Sequence, residues 1–251
     1  MRARQLATAN IDNLTRLWRA MGSHPCTLEG MAGFEISTGW PYRCWPATSV
    51  AVHAATGHGM QQLHEQYFVP VWQIENTQVV CLHSMLTANG FQIVSGQTAM
   101  ALALDSHSIT TPHAPLLQRI TSQQAIRTWT AVASRAFGYD IDPSVFMTIA
   151  VYPELSLYLA CVDAQPAATV MLFKTGDVIG VHQLGVLPEF RGQGLARRLM
   201  HEVIALCKGM AARHITLQAS SAAERLYTGL GFTRQFRIEN YQYRDTTRWA
   251  Q

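Results

Sequence analysis

The stretch Val186-Leu187-Pro188-Glu189-Phe190-Arg191-Gly192-Gln193-Gly194-Leu195-Ala196-Arg197-Arg198-Leu199-Met200 decides how the chain is read. The apolar run 178–186 before it has the character of a buried strand. After it, Leu195, Leu199, Val203 and Cys207 recur every fourth position, the period of a helix with one apolar face. Pro188 cannot continue a strand ladder, because it has no N–H to give. Gly192 and Gly194 permit a tight turn and let a ligand approach the main chain without a Cβ in the way. Strand, Gly-rich turn and helix start together aim unpaired N–H groups and the positive end of a helix dipole at one point. That arrangement binds anions, and phosphate is the commonest of them.

The rest of the composition narrows the class. The chain has 251 residues, 48% of them apolar and 14% charged, which marks a globular protein with a large core in one large or two small domains. A net charge of +3 without any Lys/Arg run gives no footprint for nucleic acid. The five cysteines, Cys26, Cys44, Cys81, Cys161 and Cys207, are widely spaced and odd in number. They form no C-x-x-C pair, so neither a disulfide framework nor a metal site is expected, and a reducing cytoplasm is. The polar start of the chain has no apolar signal-peptide core, and no apolar run is long enough to span a bilayer.

Read from its start, the chain predicts a helix over 11–21 capped by Asn10, then an irregular Gly- and Pro-rich stretch to Pro46 with one strand over 33–39. Trp40-Pro41-Tyr42-Arg43 is a compact aromatic and basic cluster. Trp40 and Tyr42 are read either as caps on a small core or as lining of a pocket shared with the second half. Short elements follow: strands over 50–54 and 69–74, helices over 59–67 and 76–88, then two short strands within 91–104 broken near Ser95-Gly96. Residues 105–115 have no periodicity and read as a linker between an N-terminal lobe, 1–104, and a second domain, 116–251. That domain predicts a strand over 116–120 and a helix to Ala136 capped by Thr121 or Ser122, with a further helix from Ser144. A hairpin turning at Asp163-Ala164-Gln165-Pro166 comes next, and then the strand over 178–186. After the Gly loop and its helix come a strand over 214–218, a helix over 221–230 and a last pair of strands over 232–244, broken near Asn240.

Two familiar phosphate loops do not fit. A P-loop needs Lys and then Ser or Thr after its last Gly, where Leu195 and Ala196 stand. The dinucleotide fingerprint needs a third Gly, where Arg197 stands. Arg191-Gly192-Gln193-Gly194-Leu195-Ala196 instead resembles, at every fixed position, the pyrophosphate loop of the GNAT superfamily of acyl-CoA-dependent N-acyltransferases. Leu226-Tyr227-Thr228-Gly229-Leu230-Gly231-Phe232 is similar to that family's L-Y-x-x-x-G-F element. The order of elements over 116–246 resembles a complete domain of the family. In the first half, Leu86 to Phe91 followed by Met100-Ala101-Leu102 resembles Tyr227 to Phe232 and the strands after it, so the N-terminal lobe is similar to a decayed partial copy without the Gly loop.

The resemblance implies an α/β (α+β) GNAT fold, a mixed but mostly antiparallel sheet flanked by helices, with a smaller N-terminal α/β lobe. It implies acetyl-CoA or another acyl-CoA as cofactor, held by Arg191, Gly192, Gln193, Gly194, Leu195 and Ala196, by the strand Leu184-Gly185-Val186, and by Ser220 and Ala222. It implies Tyr227 as the general acid for the departing thiolate. The base is open: His182 and Gln183 are candidates, of which strand alternation lets only one face the cleft, while Glu154 or a water is the alternative. His201 and Glu202 read as solvated. The expected activity is N-acetyl transfer to a primary amine, with a small molecule or amino acid as acceptor. A peptide acceptor and an acyl-CoA sensor without turnover are the alternatives. Neither metal, nucleic acid nor membrane is expected, and a monomer or homodimer is.

Overall fold

The structure is a computed structural model that describes residues 1–47, 51–52, 55–63, 65–74, 77–105 and 115–244. Among the described residues, eight strands form one sheet and three form a smaller one. The first half supplies helix α1 (Ala3–Ala20), the small antiparallel sheet β1 (Ser23–Pro25), β2 (Phe34–Ser37) and β3 (Cys44–Pro46), and the short helix α2 (Gly57–Gln61). It continues with β4 (Phe68–Gln73), α3 (Thr77–Ala88) and β5 (Phe91–Ala103). The second half supplies β6 (Leu117–Ile120), α4 (Gln123–Phe137), α5 (Pro143–Ile149), β7 (Leu155–Val162), β8 (Gln165–Thr175) and β9 (Val178–Val186). A 3₁₀ turn (Pro188–Phe190) leads into α6 (Leu195–Gly209), and β10 (His214–Ser220), α7 (Glu224–Thr228) and β11 (Thr233–Tyr243) complete the order.

The large sheet runs β4-β11-β5-β10-β9-β8-β7-β6. Only β9 and β10 are parallel neighbours; every other pair is antiparallel. The two halves of the chain are therefore interleaved on one side of the sheet. Strand β5 lies between β10 and β11, paired with β10 from Gln97↔Ser220 to Ala103↔His214 and with β11 from Phe91↔Tyr243 to Ala101↔Thr233. The two similar sequence units, α3–β5 and α7–β11, thus end as antiparallel neighbours. The linker expected at 105–115 lies almost wholly outside the described residues.

Alternation along the strands sorts the core onto two faces. Val170, Leu172, Ile179, Val181, Ile215 and Leu217 pack against Met200, Val203, Ile204 and Cys207 of α6. On the opposite face Met171 and Phe173 join Leu14, Leu17 and Trp18 of α1 with Ile126, Trp129 and Ala133 of α4. A third cluster, including Met31, Phe34, Met60, Leu86 and Phe91, fills the N-terminal lobe beneath Val69, Val71 and Tyr241.

Several expectations change. The first helix begins at Ala3, and Asn10 is no cap: it is 1% exposed, and its amide donates to Met100 O and Gln235 Oε1. The helix period continues upstream through polar residues that the apolar pattern does not mark. Residues 51 and 52 are helical rather than extended, and the rest of 50–54 is not described. Strand β5 is one strand of 13 residues rather than two. Its Gly96 is crossed by the Arg237 side chain, so the glycine admits a neighbour instead of ending the strand. Strand β11 is also continuous, and the break read at Asn240 is a bulge between Asn240 and Tyr241. Glu202 is not solvated: it is 5% exposed and accepts from the N–H groups of Leu116 and Leu117 at 2.9 Å, fixing the start of β6. The helix cap at Ser122 stands as read, and so does the hairpin at Asp163-Ala164, whose two residues take positive φ.

Candidate active site

The corner between β9 and α6 is built by two local devices. Strands β9 and β10 are paired only from Val178↔His214 to Gly180↔Thr216, and no pairing continues from Val181 to Val186. The sheet opens there into a V, and the edge of Leu184-Gly185-Val186 that faces β10 makes no ladder with it. At the mouth of the V, Gly194 takes φ 76° as the residue before α6, and Gly192 takes φ 75°. Such φ values cost a residue with a Cβ roughly 1–2 kcal/mol. A Cβ built on either glycine meets nothing within 4 Å, so the space above both is open.

The donors at this point are free. Arg197 N–H and Arg198 N–H donate to Gly194 O, and Arg191 N–H to Pro188 O. The main-chain N–H groups of Gly192, Gln193, Gly194, Leu195 and Ala196 make no main-chain hydrogen bond among the described residues. They rim a cavity of about 230 Å³ lined by Val186, Phe190, Arg191, Gly192, Gly194, Leu195, Ala196, Arg197 and Leu226. The Arg191 side chain is used to hold the loop: Nε donates to Val186 O at 2.9 Å and Nη2 to Ala136 O at 2.6 Å. Gln193 Nε2 likewise reaches back to Glu189 O at 3.2 Å. Gly185 lies under the end of α4, where a Cβ would press on Ala136 and Phe137. Phe190 and Arg197 line the cavity although no fixed motif position marks them, and Leu226 lines it from the L-Y-x-x-x-G-F element.

Other predicted site residues lie away from this cavity. Ser220, the last residue of β10, and Ala222 just beyond it are exposed. Tyr227, 6% exposed, packs edge-on against Phe232 at 5.6 Å and belongs to the core beneath α6; burial pushes its phenol up to about 12. Glu154 precedes β7 and is exposed.

His182 and Gln183 sit on a bulge. The β8–β9 register slips between Thr169↔Gly185 and Met171↔His182, and Gln183 takes φ 49°. Its carbonyl accepts from Thr169 Oγ1 at 2.8 Å. The extra residue suspends the alternation on which the choice between the two side chains rests. His182 turns to α1, where Nε2 lies 3.0 Å from Asn13 Oδ1; the Asn13 amide is itself fixed by Phe173 O and Thr175 Oγ1. Gly180 leaves the room this contact needs. Burial pushes the imidazole down to about 4, with a hydrogen bond donated to Gln218 acting the other way. Gln183 turns to the phenol of Tyr139, just after α4, whose proton is held more tightly than usual because of burial.

Trp40 is 9% exposed and packs on Phe146 at 5.3 Å, next to a cis Trp40–Pro41 bond. Tyr42 is half-buried and meets Tyr67 edge-on at 6.1 Å. Among the described residues no group of three His, Cys, Asp or Glu could hold a metal ion, and no helix is long and apolar enough to cross a membrane.

A sheet that parts between two parallel strands, with a glycine-led helix start at the fork, defines a class, and comparison with known proteins gives it a name. Residues 123–232 match the acetyltransferase (GNAT) family, a family that uses acyl-CoA. A GCN5-related N-acetyltransferase from Kribbella flavida superposes over 97% of this chain and 96% of its own, with a TM-score of 0.67 and 18% identity. An acetyltransferase of the GNAT family from Novosphingobium aromaticivorans superposes over 91% and 96%, with a TM-score of 0.58 and 16% identity. A GCN5-related N-acetyltransferase from Sphaerobacter thermophilus covers 84% and 76%, with a TM-score of 0.57 and 17% identity. At these identities the likeness is one of fold, and it extends through the N-terminal half.

Proposed function

We propose that the protein is an acetyl-CoA-dependent N-acetyltransferase acting on the primary amine of a small molecule or amino acid. The observation that carries the reading is the cradle of unbonded N–H groups at 192–196 under open space at Gly192 and Gly194. Main-chain donors at a helix start hold pyrophosphate without reorganising, because their dipoles are already oriented. Arg191 contributes by tying the loop to Val186 and Ala136, not by offering its charge. The unpaired edge of Leu184-Gly185-Val186 suits an extended amide-bearing chain laid along it. When bound, acyl-CoA supplies an activated acyl thioester to this groove.

Proton handling falls to the residues around the V. With its phenol near 12, Tyr227 Oη keeps its proton throughout the neutral range and is suited to donate toward a developing thiolate. His182, near 4 and bonded to Asn13, is neutral and occupied at pH 7, so it holds β9 against α1 and leaves removal of the amine proton to water. The test is a melting curve with and without acetyl-CoA, followed by thiol release against an amine panel. A ligand that binds the folded state raises the melting temperature by mass action. No shift at millimolar acetyl-CoA would refute the reading, and a shift without any acceptor-dependent thiol release would turn it into a sensor.

A further inference from the structure

The large sheet is two arms joined at one seam. One arm is β6-β7-β8-β9 and the other is β10-β5-β11-β4. Among the described residues the ladder across the seam has three pairs, Val178↔His214, Ile179↔Ile215 and Gly180↔Thr216. A ladder that short fixes the spread of the arms weakly, since the pairs next to an open end fray first. Apolar packing against α6 is non-directional and tolerates small shifts of one arm against the other.

Helix α1, on the face opposite α6, touches strands of both arms and carries two buried asparagines, Asn10 at 1% and Asn13 at 0% exposure. Their spacing puts them on one face of the helix, about one turn apart. Among the described residues, Asn10 bonds one arm. Its amide donates to Met100 O of β5 at 3.3 Å and to Gln235 Oε1 of β11 at 2.6 Å, and its Oδ1 accepts from Gln218 Nε2 of β10 at 2.7 Å. Asn13 bonds the other arm. Its amide donates to Phe173 O at 2.8 Å and to Thr175 Oγ1 at 3.0 Å, both of β8, and its Oδ1 accepts from His182 Nε2 of β9 at 3.0 Å.

The placement follows the split. Gly180 and Thr216 are the last pair of the ladder. His182 and Gln218 stand two residues further along their strands, so by alternation they are the first side chains of the α1 face beyond the split. Each is held by one of the asparagines. Gly180 has no Cβ, and Asn13 Oδ1 and His182 Nε2 occupy the space one would fill. Asparagine is a poor helix former and a buried amide is costly unless bonded, so packing gives no reason for two of them on the buried stripe of α1. Directional bonds to β5, β8, β9, β10 and β11 give one.

We infer that α1 is the brace of the cofactor cleft, with Asn10 and Asn13 as positioning residues that set the spread of β9 and β10 at which an extended cofactor chain is admitted beside Leu184-Gly185-Val186. This rests on the acyl-transfer reading above. The helical turn between the two asparagines is a strut of fixed length, and fastening one arm at each end fixes the distance between the arms. With either end released, the arms take a range of spreads and only a fraction of the molecules is competent to bind, so apparent affinity falls by that fraction. The first half of the chain thereby governs cofactor binding through the strands.

The experiment is calorimetric titration of the whole chain with coenzyme A, at a temperature where circular dichroism shows every variant folded. Asn10→Ala and Asn13→Ala should each bind coenzyme A roughly 10-fold more weakly, as for a competent fraction of about one in ten. The double variant should also lose about 10-fold rather than about 100-fold, since a strut released at one end no longer sets the spread. Met60→Ala, in the core of the N-terminal lobe, should lower the melting temperature by opening a cavity. As a site independent of the brace, it should leave coenzyme A binding within about twofold. If the asparagine variants do not fold, Gln218→Met and Thr175→Val, each of which removes one half-buried fastening, should each weaken coenzyme A binding by about threefold. Unchanged binding in whichever pair folds, losses that multiply in the double variant, or an equal loss in Met60→Ala would overturn the brace while the unaltered protein still binds coenzyme A. No coenzyme A binding by the unaltered protein would overturn the acyl-transfer reading and the brace with it.

Discussion

The β9–α6 corner and the N-terminal lobe are written in the chain differently. At the corner, most devices lie within a short run of strand, loop and helix: Pro188, two glycines with positive φ, Arg191 bonding Val186 five residues before it, with Ala136 as its one distant partner. In the lobe, each device waits for a distant partner. Asn13 meets His182, Arg43 lies over Trp18 and Phe68, and β5 meets β10 and β11. A site made of neighbours in sequence can be read as a motif. A site made across the sheet is readable only once the strand order is known.

The comparison breaks most visibly if the second half is made alone. A fragment beginning near Leu116 lacks β5, so β10 and β11 lose the strand that joins them, and α1 no longer covers His182. We predict that this fragment shows no cooperative melting and no acetyl-CoA shift. A fragment that melts cooperatively and binds acetyl-CoA would mean the corner stands without the lobe.

The next largest effect is at Gly194. In Gly194→Val a side chain enters the open space of the cradle at φ 76°. Folding should weaken by roughly 1–2 kcal/mol from the left-handed backbone, and the acetyl-CoA shift should vanish. An undiminished shift in the folded variant would remove the loop from the cofactor site.

Tyr227→Phe tests a residue at which motif and core packing coincide. Acetyl-CoA affinity should hold, because the hydroxyl's partner develops only during reaction. Turnover should fall by about 10²-fold, the low end for a general acid. Unchanged single-turnover rates would leave Tyr227 as packing alone.

The smallest effect sharpens the His182 contact. Its imidazole titrates at about 4 in the folded protein against an ordinary value of 6.5, so the unfolded chain binds the extra proton between those values. Stability from this group is complete above about pH 6.5 and is lost as pH falls toward 4, amounting to roughly 2 kcal/mol by pH 5. His182→Gln should therefore show a smaller drop in melting temperature between pH 7 and pH 5 than the parent. An equal drop would mean the acid sensitivity lies elsewhere.

How much is legible in the sequence follows the same division. The strand over 178–186, the Ser122 cap, the Asp163-Ala164 turn and the α4 stripe at Trp129, Val132, Ala133 and Ala136 rest on period and local turn chemistry, and they stand. Gly96 and Asn240 read as breaks because glycine and asparagine commonly are; here one admits Arg237 and the other marks a bulge inside an unbroken strand. Glu202 reads as solvated because a carboxylate on a helix usually is, and nothing nearby in sequence reveals Leu116 and Leu117 as its donors. The choice between His182 and Gln183 rests on strict alternation, which a single positive φ undoes. Arg43 is visible in the sequence only as part of an aromatic cluster, since the burial of its Nε and Nη1 without a hydrogen-bond partner among the described residues is a property of the folded surroundings.

The place of β5 also bears on how the chain is born. A ribosome releases β5 long before either of its neighbours exists, since β10 begins at His214 and β11 at Thr233. At roughly 5–20 residues per second the wait is on the order of ten seconds. During it a 13-residue strand, apolar from Ala99 to Ala103, has both edges open to any other chain. We predict that nascent chains halted before residue 214 are cut readily within 91–103 and bound by holdase chaperones, whereas chains extended past Tyr243 are protected. Protection of the halted chains would show that the first half has a temporary partner for β5 within itself, one it must give up when the second half arrives.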